Sequence, residues 1–154
     1  MKKIKLQAEI QVASDISELN STDTMLLLRA KEVAKDAYAP YSNFKVGSAL
    51  ILENGVVVIG NNQENAAFPV TICGERNAIF SAAAQYPDIA INTIAITIIS
   101  SKGNVDNPVP PCGSCRQVIY EMETRHNNNI RIILQGDSGD IYLINSVKDI
   151  LPLL

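Results

Sequence analysis

A chain of 154 residues, 47% hydrophobic and 19% charged, is long enough to bury a core as one domain without disulfide staples and too apolar to be disordered. The formal net charge is −3, and Lys/Arg-rich character is confined to Lys2, Lys3 and Lys5. An electrostatic footprint for nucleic acid is therefore missing, and a small molecule is the expected partner.

Ile4, Leu6, Ala8, Ile10 and Val12 alternate with Lys5, Gln7, Glu9 and Gln11. Period two predicts a half-buried strand or an extended arm within residues 1–20, followed by residues 21–154 as the main domain. The N-terminus lacks the apolar stretch of a signal peptide, and no apolar run approaches the roughly 18 residues of a membrane span. Ser21, Thr22 and Asp23 are cap candidates for a first helix with Leu26, Ala30, Val33, Ala34 and Ala37 on one face, ended by Pro40. The apolar runs 46–52 and 56–59 flank Asn54-Gly55, a strong hairpin signal.

Residues 60–69 read as a loop. A helix is expected from about Cys73 to Gln85, then a strand over 91–99 that is apolar on both faces and so covered on both. A Pro-rich loop containing Lys102-Gly103-Asn104 leads to a third helix from about Cys112 to His126. Strands follow at 130–134 and 141–144, and Ser146 caps a short last helix before Pro152. Alternating strands and helices without a repeat predict a single layered α/β domain.

Chemistry concentrates in two stretches. Cys112-x-x-Cys115 places two thiols on one side of a helix start, where the sulfur spacing of roughly 3.8 Å required by tetrahedral zinc is reachable. A thioredoxin-like redox pair and two inert buried cysteines are the competing readings. The third cysteine, Cys73, opens another helix, where free N–H groups favour thiolate. Three cysteines, an odd number, suit ligand or catalytic duty in the cytosol better than a disulfide framework. His126 sits too far along its helix to complete the set, and an open fourth position marks a catalytic zinc site.

Glu75, two residues from Cys73, is placed to move protons beside that position; as an isolated glutamate it would merely favour its helix start. Three thiolates on Zn²⁺ leave a net charge of −1. Arg76, the two helix starts and Arg116 are the available counter-charges, although Arg116 is equally readable as a solvated helix residue.

These stretches, Thr71-Ile72-Cys73-Gly74-Glu75-Arg76 and Pro111-Cys112-Gly113-Ser114-Cys115-Arg116-Gln117, resemble the small homotetrameric cytidine deaminases of pyrimidine salvage. Cys₃ ligation with a non-ligating glutamate is a known arrangement of zinc deaminases as a class. Ala39-Pro40-Tyr41-Ser42-Asn43-Phe44-Lys45-Val46-Gly47 and Asn62-Gln63-Glu64-Asn65-Ala66-Ala67-Phe68 extend the likeness, which spans about residues 22 to 152.

The resemblance implies a three-layer α/β/α sandwich around a mixed five-stranded sheet, with zinc on Cys73, Cys112 and Cys115. It implies hydrolytic deamination of cytidine and deoxycytidine, with Glu75 shuttling protons to N3 and to the leaving amine. Phe44 would stack on the base, Asn62 and Glu64 would bind the ribose, the Gly74 backbone would face the base, and Arg76 would offset the thiolate charge. Related readings are a zinc deaminase for another aminopyrimidine nucleoside and a binding protein with structural zinc. The family usually has Ala where this chain has Gly74, and often an aromatic residue after Leu-Pro, where this chain has Leu153-Leu154. Residues 1–20 are extra to the family core and are expected to add an edge strand or a subunit-contact arm.

Overall fold

The computed structural model describes residues 1–101 and 103–153, so Lys102 of the Pro-rich loop and Leu154 of the C-terminal segment lie outside the described residues. The strands are β1 (Gln11–Ala13), β2 (Phe44–Leu52), β3 (Val57–Asn61), β4 (Ile91–Ser100), β5 (Arg131–Gln135) and β6 (Ile141–Ile144). The helices are α1 (Ser21–Ala34), α2 (Gly74–Gln85) and α3 (Gly113–His126), and Ser146 caps a 3₁₀ turn over Val147–Asp149.

One sheet orders the strands β1-β6-β5-β4-β2-β3. Among the described residues only the β4–β5 strand pair is parallel, so the sheet is mixed, as expected. It has six strands where five were expected, and the additional one is β1, paired antiparallel to β6 at the edge. The N-terminal alternation forms strand only at its end, where Gln11, Val12 and Ala13 pair with Leu143, Tyr142 and Ile141 of β6. Ile10 and Val12, which the pattern places on an inner face, are exposed.

The three layers follow from side-chain alternation. Along β4, Ile94 and Ile96 join one core with Leu50, Ile79, Ile119 and Ile132, beneath α2 and α3. Ala95 joins the opposite core with Leu26, Ala30, Ala49 and Ile133, beneath α1. A central strand covered on both faces needs apolar residues on both, which β4 supplies with Ile94, Ala95, Ile96 and Ile98, while Thr93 and Thr97 are buried polar positions and Asn92 is exposed. Alanines on the α1 side let that helix sit close. A Cβ on Gly47 would lie 2.0 Å from the Ala30 carbonyl, and one on Gly60 would lie 2.4 Å from the Ala78 nitrogen under α2. Gly60 therefore belongs to β3, not to the loop expected there.

Helix α1 starts differently from expectation. Asn20 is the cap and accepts from the Asp23 amide at 2.9 Å, which leaves Ser21, Thr22 and Asp23 inside the first turn. Asp23 is instead buried and ion-paired with Arg131 at 3.0 Å. The helix stops at Ala34, well before Pro40, because the backbone of Tyr38 is taken by Asn62 and Glu64. Among the described residues, no helix is long and apolar enough to cross a membrane.

Candidate metal centre

Helices α2 and α3 begin beside the end of the sheet formed by Phe44 of β2 and Ser100 of β4, which pair in register. Cys73 is the N-cap residue of α2 and Cys112 that of α3, and neither uses its sulfur as a cap. The thiols are therefore free to point away from their own helices. Cys115 lies one turn into α3 and is buried.

The three sulfurs all lie within 4.8 Å of one another, with Cys112 and Cys115 at 3.4 Å. Tetrahedral zinc with bonds of about 2.3 Å needs sulfurs about 3.8 Å apart, so the triad fits it. No disulfide joins the cysteines, and the third sulfur beside Cys112 and Cys115 favours a metal site over the redox pair that Cys112-x-x-Cys115 also suggested.

The charge of the triad supports the same conclusion. Without a cation, the sulfurs share protons: the Cys115 thiol stabilises Cys73 as thiolate and, with help from Arg76, holds its pKa down to about 5. The same shared contact with Cys73, followed by burial, drives the Cys115 pKa upward. A divalent ion would release this constraint by neutralising thiolates that cannot all ionise in its absence.

Glu75 is 4% exposed and lines the same cleft as Cys73 and Cys112. Burial raises its pKa, and its Oε2 has no hydrogen-bond partner. A buried carboxylate oxygen without a partner is costly unless a ligand or water completes it. Arg76 places Nη2 at 3.5 Å from the Cys73 sulfur, a position suited to offsetting thiolate charge. Arg116 does not do this. It donates to the Pro111 carbonyl at 2.8 Å and the Ile150 carbonyl at 2.7 Å, tying the Cys112 loop to the C-terminal segment. It is neither a sulfur donor nor a solvated surface residue. His126, at the far end of α3, is outside the cluster.

The cleft has a volume of about 420 Å³ and is walled by Phe44, Val46, Ile72, Ile96, Ile98 and Pro110. Asn62 and Glu64 also line it. The Asn62 amide is locked into β2, accepting from the Val46 amide at 2.7 Å and donating to the Phe44 carbonyl at 3.0 Å. Glu64 accepts from the Tyr41 and Ser42 amides at 2.9 and 3.2 Å and from the Ser42 hydroxyl. The Ser42 hydroxyl lowers its pKa most. Gly74 is buried at the α2 start, and a Cβ there would lie 3.0 Å from the Val46 carbonyl.

Ser42 is the polar residue that sequence reasoning did not single out. It belongs to the Tyr41-Ser42-Asn43-Phe44 stretch, but its partner is 22 residues away, beyond any local pattern. Asn43 between Ser42 and Phe44 takes a left-handed φ of 56°, which turns the chain into β2.

A three-layer α/β/α fold whose helix starts bring three cysteine sulfurs and a buried carboxyl to one cleft defines a metal-binding α/β domain of hydrolytic type. Residues 20–128 match the model of the cytidine and deoxycytidylate deaminase zinc-binding region, and the chain belongs to that family. It is 38% identical over 128 residues to a cytidine deaminase of Halalkalibacterium halodurans, covering 83% of this chain and 89% of that one. A cytidine deaminase of Sporosarcina psychrophila is also 38% identical, over 116 residues, 75% of this chain and 79% of that protein. The crystal structure of cytidine deaminase from Burkholderia pseudomallei superposes with a TM-score of 0.73 at 36% identity, over 87% of this chain and 98% of its own.

Proposed function

We propose that this protein catalyses the zinc-dependent hydrolytic deamination of cytidine and deoxycytidine to uridine and deoxyuridine in cytosolic pyrimidine salvage, as a homotetramer. Residues 21–154 form the catalytic domain in this reading and residues 1–20 an arm outside it. The observation that carries it is the unpartnered, buried carboxylate oxygen of Glu75 in the cleft that also exposes Cys73 and Cys112.

Cys73, Cys112 and Cys115 would hold the zinc. When bound, the ion supplies Lewis acidity that makes water a usable nucleophile near neutral pH. Deamination adds water across the C4 centre and expels ammonia. Both protons of the attacking water must leave its oxygen in turn: the first reaches ring N3 as oxygen adds to C4, and the second passes from the C4 hydroxyl to the amine as the C4–N bond breaks. Glu75 carries these protons. Its burial raises its pKa toward the range in which a carboxyl both accepts and donates. Glu64 is unsuited to this duty, since Ser42 and the Tyr41 amide hold its carboxylate ionised.

Phe44, half-buried at the cleft wall, offers an aromatic face for the base. Gly74 opens α2, where first-turn amides lack intrahelical partners and are available to a ring carbonyl. Asn62 retains an N–H and a lone pair beyond its two bonds to β2, and Glu64 retains acceptor capacity. Both suit a ribose hydroxyl. Arg76 favours Cys73 as the thiolate that ligates and offsets its charge.

The test follows ultraviolet absorbance of cytidine and deoxycytidine incubated with purified protein whose zinc content is measured in parallel. Loss of the cytosine band with release of ammonia is expected. Protein carrying one zinc per chain that converts neither nucleoside would overturn the proposal.

A further inference from the structure

The N-terminal arm is an exposed apolar feature that the catalytic reading leaves unused. Ile4 and Leu6 are 82% and 57% exposed, and Ile10 and Val12 are exposed as well. The arm runs into β1, which among the described residues has a strand neighbour on one side only, so its outer edge presents backbone groups without a strand partner. A cleft of about 580 Å³ separates Leu6 and Ala8 from Ile150, Leu151 and Leu153 of the C-terminal segment. An apolar edge of this kind requires a partner.

The arm's own sequence specifies one. In an antiparallel pairing of two copies centred on Gln7, residue 5 faces residue 9, residue 4 faces residue 10 and residue 6 faces residue 8. Lys5 then lies opposite Glu9 twice, once on each side of the twofold axis, and Ile4 opposite Ile10 twice. All apolar residues from Ile4 to Val12 share one face of the ribbon. Lys3, Lys5, Gln7, Glu9 and Gln11 share the other. A slip of one residue in either strand puts apolar against polar faces, which disfavours it strongly. Centring on Leu6 instead trades the Lys5–Glu9 pairs for Lys3–Glu9 ones and sets Lys2 against Ile10. Centring on Ala8 sets Glu9 against Gln7 and leaves Lys5 opposite Gln11.

We propose that residues 3–11 of two copies of this chain pair as an antiparallel strand ribbon, centred on Gln7 and continuing β1 across a twofold axis. An isolated two-stranded ribbon is marginal in water. Here each strand is anchored by the β1–β6 pairing, and its apolar face lies next to Ile150, Leu151 and Leu153. The proposal does not rest on the catalytic reading, because none of these residues lines the metal cleft.

The test is a charge swap on the full-length protein, read by sedimentation equilibrium at low ionic strength, where exposed pairs are least screened. Lys5→Glu and Glu9→Lys each turn two attractive cross-strand pairs into repulsive ones and are expected to weaken arm-dependent association about tenfold. The double variant, Lys5→Glu with Glu9→Lys, restores the pairing and is expected to return to the wild-type constant, with deamination unchanged throughout. Gln7→Cys, at the axis, is expected to form an intermolecular disulfide faster than Lys2→Cys. Equal association in all four proteins would overturn the proposal, as would a double variant no tighter than the singles. Equal cross-linking at positions 2 and 7 would also overturn it, and so would an arm that leaves the protein unassociated but retains it on anionic phospholipid vesicles.

Discussion

Replacing Glu75 by Gln separates the chemistry of the cleft from its architecture. The amide has the shape of the carboxyl but carries no transferable proton at neutral pH. One positioned general acid–base group is worth about 10²–10⁴ in rate. Glu75 is assigned successive transfers to N3 and to the amine, so the expected loss in kcat is about 10⁴. Stability should move the other way. Burial raises the Glu75 pKa in the fold. A carboxyl raised in this way favours the folded state below its unfolded pKa, and that contribution is lost as pH rises through the folded value. Above the folded value the wild type therefore bears a buried, partly unpartnered charge that the amide variant lacks. Zinc-free Glu75→Gln is expected to gain in melting temperature relative to wild type as pH rises, with the difference shrinking or reversing under acid conditions. Nucleoside absorbance, elemental zinc analysis and thermal melts at two pH values measure all three quantities. A kcat within tenfold of wild type would refute the proton-carrier role. Loss of zinc, or a melting temperature that falls relative to wild type as pH rises, would show that Glu75 holds the site together instead.

In chelator-treated protein, Cys73 should alkylate with a pH midpoint of about 5, while Cys115 stays unreactive through the ordinary thiol range. A mass-spectrometric profile in which the order is reversed would contradict the shared-proton picture. Arg76→Gln removes the donor at 3.5 Å from Cys73, and is expected to raise that midpoint and to weaken zinc binding by about 10–100-fold in competition with a chelator. Glu123 is buried and accepts from the Ile130 amide at 2.9 Å, the Val147 amide at 3.1 Å and the Ser146 hydroxyl at 2.7 Å. Glu123→Ala leaves those donors buried without a partner and should cost about 3–5 kcal/mol in urea unfolding, without changing zinc stoichiometry.

Much of the site was legible because it is made of rare residue types placed by local rules. Cysteines at helix starts are readable from the 3.6-residue pattern that follows them, and Asn54-Gly55 carries its own turn, with Gly55 at φ 85°. Apolar residues on both faces of β4, Ile94 and Ile96 on one and Ala95 on the other, already require cover on both. The role of Arg116 was not legible. Its guanidinium bridges Pro111 and Ile150, a choice made by how α3 lies against the C-terminal segment. Glu123 reads as an ordinary charged helix position until the turn at Ser146 closes over it.

The sequence by itself determined the elements, the two-faced sheet and the stock of thiols, carboxylates and guanidinium groups, since each is set by periodicity or by side-chain chemistry. Tertiary structure alone decided that Cys73 meets Cys112 and Cys115 within 4.8 Å, that Ser42 braces Glu64, and that β1 pairs with β6 over Gln11–Ala13 alone. These outcomes depend on the directions in which packed helices and strands project their side chains. Residues far apart in the chain share no repeat that could announce such a meeting.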